Sequence, residues 1–297
     1  MTAVWHGVAA YAIWGTFPLY WALIRHVPVP QVMGHRIVWS CLVLLALVLG
    51  LGRRTALAAL PRRVVVLYAM AAVLIGVNWT IYVWAVTSGF VVETSLGYFI
   101  TPLFTILLGV LVLRERLRRL QWVAVALAAA GVLHLARLSG APPWIALGLT
   151  VSFGTYGLIK KRAPLAPVEG LLLETAILAL PALLYLLVAQ RSGAGVFLRA
   201  GAATDALLVG TGLLTVGPLL LFATAVQRVP LSVMGILQFI APTMQFVLGV
   251  FVFREAFSAA QLAGFALVWT AVVVFAVDGL RARRPPRAAP VLDEGAA

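Results

Sequence analysis

Residues 99–115 read FITPLFTILLGVLVLRE, and residues 239–255 read FIAPTMQFVLGVFVFRE. At a fixed offset of 140 residues, 98–121 and 238–261 are identical at ten of 24 positions. Apolar matches are cheap in an apolar chain. The matches Pro102/Pro242, Gly109/Gly249, Arg114/Arg254, Glu115/Glu255 and Gln121/Gln261 are not. The chain therefore carries one element twice, and the surrounding sequence says where the copies lie.

The 297 residues are 63% hydrophobic and only 10% charged, too little polar surface to cover a water-soluble core. The apolar residues fall in about ten blocks near 4–24, 30–50, 64–86, 92–113, 120–138, 143–160, 168–188, 205–225, 230–253 and 260–279. Each is long enough to cross a hydrocarbon layer as a helix. The alternation of a membrane barrel is absent. The repeated stretch falls in the fourth and ninth blocks, so each half contributes five helices. An odd number of crossings per half turns the second copy upside down.

These features predict an all-α polytopic membrane protein with ten transmembrane helices in two inverted five-helix repeats. The repeats are residues 1–140 and 141–280, followed by a basic tail over 281–297 that is expected to be disordered. Inverted repeats are an architecture of secondary transporters, in which one half rocks against the other around a central site. A duplicated scaffold or sensor without transport is the competing reading.

The net charge of +13 points to topology and away from nucleic acid. With ten spans and both termini cytoplasmic, 16 Lys and Arg residues fall on the cytoplasmic side and five outside, with Arg36 left within the membrane. That is the positive-inside bias expected of short loops. The basic face also attracts anionic lipid headgroups. A bacterial inner membrane is the expected location. The single cysteine, Cys41, forms no disulfide within the chain, and four dispersed histidines make no metal site. Phosphate-cradling, hydrolase and zincin motifs are absent. No enzymatic activity and no cofactor are expected, and energy for transport is expected to come from a gradient or from the substrate itself.

The sequence also resembles the RarD branch of the EamA-type drug/metabolite transporter superfamily. The resemblance is carried by YAIWG (11–15), HRIVWS (35–40), LIGVNW (74–79), ETSLGYFITPL (93–103), RERLRRLQW (114–122), YGLIKK (156–161), LLLET (171–175) and QFIAPTMQF (238–246), and it spans the chain up to the tail. It implies ten helices from a duplicated five-helix unit, a cavity open alternately to each side, and export of small organic molecules. Members of this branch are described as chloramphenicol-sensitive or chloramphenicol-resistance permeases.

Polar groups inside the apolar blocks are the candidate site, because charges in a bilayer are costly and face a cavity or a partner. Arg36 fits an electrostatic anchor for a polar or anionic substrate group. Glu93 and Glu174 fit proton-coupling carboxylates, or fixed partners of Arg36. Asn78, Tyr98 and Gln238 supply further polar groups, and Trp14, Trp39 and Trp79 lie deep enough to hold a flat organic ligand. Pro102 and Pro242 each remove a backbone donor and open the helix toward the bundle interior. Glu115 and Glu255, with their arginines, fit either a fixed turn contact or a gate made and broken during transport. The expected cargo is a small amphipathic organic molecule, with protons as a possible co-substrate. An uncoupled facilitator is the alternative, and no oligomer is required.

Overall fold

The computed structural model describes residues 2–52, 60–87, 91–139, 144–252, 254 and 258–281. The side chains of residues 83, 86, 87, 91–96 and 139 lie outside that set. The described residues are helical almost throughout, as a chain must be when lipid offers its backbone no hydrogen bonds. The helices are α1 (Thr2–Leu23), α2 (Val29–Gly50), α3 (Arg62–Thr87), α4 (Val91–Leu111), α5 (Arg119–Ser139) and α6 (Trp144–Arg162). They continue with α7 (Pro167–Arg191), α8 (Ala202–Arg228), α9 (Leu231–Gln238), α10 (Ile240–Phe251) and α11 (Ala259–Arg281).

Seven stretches are long and apolar enough to cross a membrane: α2, α3, α5, α7, α8, the pair α9 and α10 taken together, and α11. The protein is thus a multi-pass helical membrane bundle. Three expected spans fall outside the seven for identifiable reasons. Helix α1 carries Trp5, Trp14, Trp21 and His6. Helix α6 ends in Lys160, Lys161 and Arg162. In α4 the apolar helix is followed only over Gly97–Leu111.

Prolines mark the helix starts. Pro28 precedes α2, and Pro167 opens α7, where a missing N–H costs nothing. Within helices the two copies of the repeated stretch differ. Helix α4 runs unbroken through Pro102, whereas the second copy breaks at Phe239, which separates α9 from α10 just before Pro242. The expectation that each proline opens its helix therefore needs correction at Pro102. Both copies nevertheless end alike. Arg114 and Arg254 adopt φ of 57° and 55°, a left-handed conformation that costs a non-glycine residue roughly 1–2 kcal/mol.

The helices pack as two groups. Helices α3, α4 and α6 contact one another, as do α1, α8 and the pair α9 and α10. Helix α2 lies against α7 and α8, α7 also touches α3, and α5 packs along α11. The groups meet where α4 crosses α9. There, a Cβ added at Gly235 would lie 2.6 Å from the Ile106 side chain and 2.7 Å from the Pro102 carbonyl, so glycine permits a backbone approach no other residue allows.

Candidate functional site

Between the two groups lies a cavity of about 460 Å³, which reaches the α1–α2 turn through Ile24, Arg25 and Val27. That volume suits a small organic ligand. Of the residues singled out from sequence, Arg36, Asn78, Tyr98, Gln238, Trp14, Trp79 and Pro242 all line it.

Arg36 is buried on α2, where its Nε donates to Thr215 Oγ1 at 2.7 Å. Its guanidinium lies 4.4 Å from the Trp79 ring centroid and 5.8 Å from those of Phe17 and Trp21. Aromatic faces attract a desolvated cation without neutralising it. Among the described side chains, no carboxylate lies within ion-pair distance of Arg36. The guanidinium is held by one hydroxyl and three aromatic rings.

The other polar groups are partly committed to packing. Asn78 Nδ2 donates to Leu149 O and to Ser152 Oγ, each at 2.9 Å, which ties α3 to α6. Gln238 accepts from Thr105 across the α4–α9 crossing at 3.3 Å. The Tyr98 ring sits 5.9 Å from that of Tyr82 on the cavity wall. Trp14 packs among Tyr11, Phe153 and Phe222, with centroids 5.4, 6.2 and 5.7 Å away. The buried Tyr11 hydroxyl, also on the cavity lining, has no hydrogen-bond partner among the described residues.

Glu174 stands elsewhere. It is buried against Lys160, whose Nζ donates at 2.7 Å, and it accepts from Tyr156 Oη at 3.1 Å. It neither pairs with Arg36 nor lines the cavity. Glu93 lies in the first turn of α4 with its side chain outside the described residues, and Glu255 lies outside them as well. Pro102 is buried at the α4–α9 crossing and is not on the lining. Trp39 faces Phe197 at 6.2 Å, so its expected place in the cavity is corrected.

The cavity ends where the two groups close on each other at the opposite end from the α1–α2 turn. The Glu115 carboxylate accepts from the backbone N–H groups of Leu231 at 2.6 Å and Ser232 at 2.9 Å, capping α9. The left-handed Arg114 aims it there, through a turn in which Glu115 N donates to Gly109 O. Lys161 Nζ donates to Val229 O at 2.6 Å, and the Tyr156 ring stacks on Phe222 at 6.2 Å with planes 14° apart.

Sequence reasoning missed Thr215, Phe153 and Lys160. Thr215 and Phe153 carried no signal, being common residues in apolar runs. Lys160 did, but it reads as one more basic residue at a cytoplasmic helix end. Among the described residues, no group of three His, Cys, Asp or Glu side chains is placed to share a metal ion.

A multi-pass helical bundle around a cavity with one aromatic-caged cation has the build of a membrane transporter. The chain belongs to the EamA-like transporter family, in which it joins the RarD proteins. Residues 1–137 match that family directly. Protein RarD of Streptomyces exfoliatus is 48% identical over 289 residues, covering 97% of this chain and 92% of that protein. Protein RarD of Escherichia coli (strain K12) is 39% identical, covering 93% and 94%. A protein of Pseudomonas aeruginosa named chloramphenicol-sensitive protein RarD is 31% identical with the same coverages. A crystal structure at 21% identity superposes with a TM-score of 0.70 over 95% of this chain and 99% of that one, a likeness of fold. The protein is a membrane transporter of the EamA/RarD type.

Proposed function

We propose that the protein exports small amphipathic organic molecules by alternating access, and that the cavity is here open to the outside. The observation that carries this is the cavity that reaches the α1–α2 turn, with Arg36 on its wall, beyond whose other end the two helix groups are held together by their own contacts. Ten spans follow if α1, α4 and α6 cross as the other helices do. The basic residues then place both termini and the Glu115 end in the cytoplasm.

Two further observations support inverted repeats over residues 1–140 and 141–280. Exchanging each helix of the first half for its counterpart in the second maps the packing of α1 on α8 onto that of α6 on α3, and the packing of α4 on α6 onto that of α1 with α9 and α10. The matched left-handed arginines at 114 and 254 obey the same exchange.

In this cycle Arg36 holds the polar or anionic end of the cargo. Trp14, Trp79 and Phe153 hold its flat apolar body, and the Tyr11 hydroxyl meets a distal polar group. Glu115 and its capped helix form the cytoplasmic gate, which breaks as the groups rock. Glu93 remains the candidate for proton coupling on the cavity side, and Glu255 the candidate gate at the outer face.

The test is movement of a small-molecule panel, chloramphenicol included, in proteoliposomes with and without an imposed proton gradient. Movement stimulated by the gradient and lost in Glu93→Gln supports coupled export. Movement indifferent to the gradient identifies an uncoupled facilitator. No movement by folded protein of any compound tested would overturn the reading.

A further inference from the structure

The chain has 20 arginines and only two lysines, Lys160 and Lys161. The Lys160 ammonium is buried beside the Glu174 carboxylate, with the Tyr68 ring centroid 5.4 Å away. An ion pair in such a place gains little over an apolar pair of the same volume. Stability alone does not explain charges here.

Their position does. Helix α2 begins after Pro28 and carries Arg36 eight residues beyond it; α7 begins after Ala166 and carries Glu174 eight residues beyond it. The two helices lie against each other and run antiparallel, because Gln31 at the start of α2 bonds Ala194 O and Val196 N just past the end of α7. The two charged positions are therefore counterparts at equal depth from opposite ends. One faces the cavity. The other is shut behind Tyr156, whose ring is covered by Phe222 from the opposite helix group.

We infer that Lys160 is a second anion-binding station of the pathway, used when the cavity faces the α6 end and held closed by Glu174 in the state described. This rests on the alternating-access reading. As the groups part, Phe222 leaves Tyr156 and water reaches the pair. Glu174 is then solvated, and the Lys160 ammonium is free to take the carboxylate or other anionic group of an organic anion. Lysine suits this exchange better than arginine, because its compact charge on a flexible stem binds no partner in a fixed two-pronged geometry. The cargo passes between a lysine at one end of its path and Arg36 at the other.

The test is acylation of lysine by a water-soluble, membrane-impermeant N-hydroxysuccinimide ester, read by mass spectrometry on the full chain in lipid nanodiscs. Lys161, partly exposed at the same end with its ammonium on Val229 O, shows whether the reagent reaches that face. The expected result is slow acylation of Lys160 that accelerates about tenfold in Glu115→Gln, the effect of roughly 1.4 kcal/mol lost from the closed contact. Benzoate, the anionic probe, slows it, and benzamide does not. Acylation of Lys161 without Lys160 in either chain overturns the proposal, as does acylation of Lys160 that benzoate leaves unchanged. A separate reporter, Ser232→Cys in a Cys41→Ser chain, reads opening of the same end with an impermeant maleimide. If that cysteine reacts while Lys160 stays protected, the second station falls and alternating access stands. If neither reacts, alternating access falls and takes the second station with it.

Discussion

Replacing Glu115 by alanine removes the contact that joins the end of α4 to the start of α9. Two backbone donors, Leu231 N and Ser232 N, lose a charged acceptor together. Hydrogen bonds to a charged group contribute about 1.5–3 kcal/mol each, and the lower figure applies because Glu115 is only partly buried. The loss from the closed state is then about 3 kcal/mol, or roughly a hundredfold in the opening equilibrium. The negative charge at a helix N-terminus adds a few tenths at most at this exposure. Glutamine keeps one neutral acceptor and loses about half as much, near tenfold. Amide hydrogen exchange across 231–238, read by mass spectrometry, measures this directly. Exchange should accelerate about a hundredfold in Glu115→Ala and about tenfold in Glu115→Gln, while α5 and α11 keep their wild-type rates. Unchanged exchange at 231–238 in the alanine variant would refute both the capping energy and the gate built on it.

Other outcomes follow from the same geometry. Lys160→Met should lower stability by about 3–5 kcal/mol by stranding Glu174, and adding Glu174→Leu should restore most of it, as read from thermal unfolding in detergent. Arg36→Gln should leave melting nearly unchanged yet abolish binding of anionic members of the panel, measured by quenching of cavity tryptophan fluorescence; retained binding would remove Arg36 from the site. Gly235→Ala should cost about 1–3 kcal/mol through overlap with Ile106 and the Pro102 carbonyl, seen as reduced folded yield. Gly217→Ala, where an added Cβ meets nothing within 4 Å, should match wild-type yield in the same expression trial.

The membrane class, the helix positions and the family were legible in the residues because a bilayer acts on composition. Each crossing needs about 20 apolar residues, and loop charge sets direction. The repeated stretch was legible because proline, glycine, arginine and glutamate recur at one fixed offset. Arg36, Asn78, Tyr98, Gln238 and Trp14 stood out as polar or aromatic residues in apolar runs, and all five line the cavity.

What each of these residues faces was settled only by tertiary structure. Arg36 and Glu174 are alike in sequence, each a charge in an apolar helix eight residues from its start. Rotation about the helix axis and the choice of neighbours turn one toward an open cavity and seat the other against Lys160. Pro102 and Pro242 occupy the same place in two copies of one stretch, yet one helix runs through and the other breaks. Lys160 read as a loop charge until Tyr68 and Glu174, each on another helix, closed around it beside Tyr156 of its own helix. Solvation by lipid acts on each segment alone and is written along the chain. The pairing of buried charges depends on which segments meet, and a single sequence does not list its contacts.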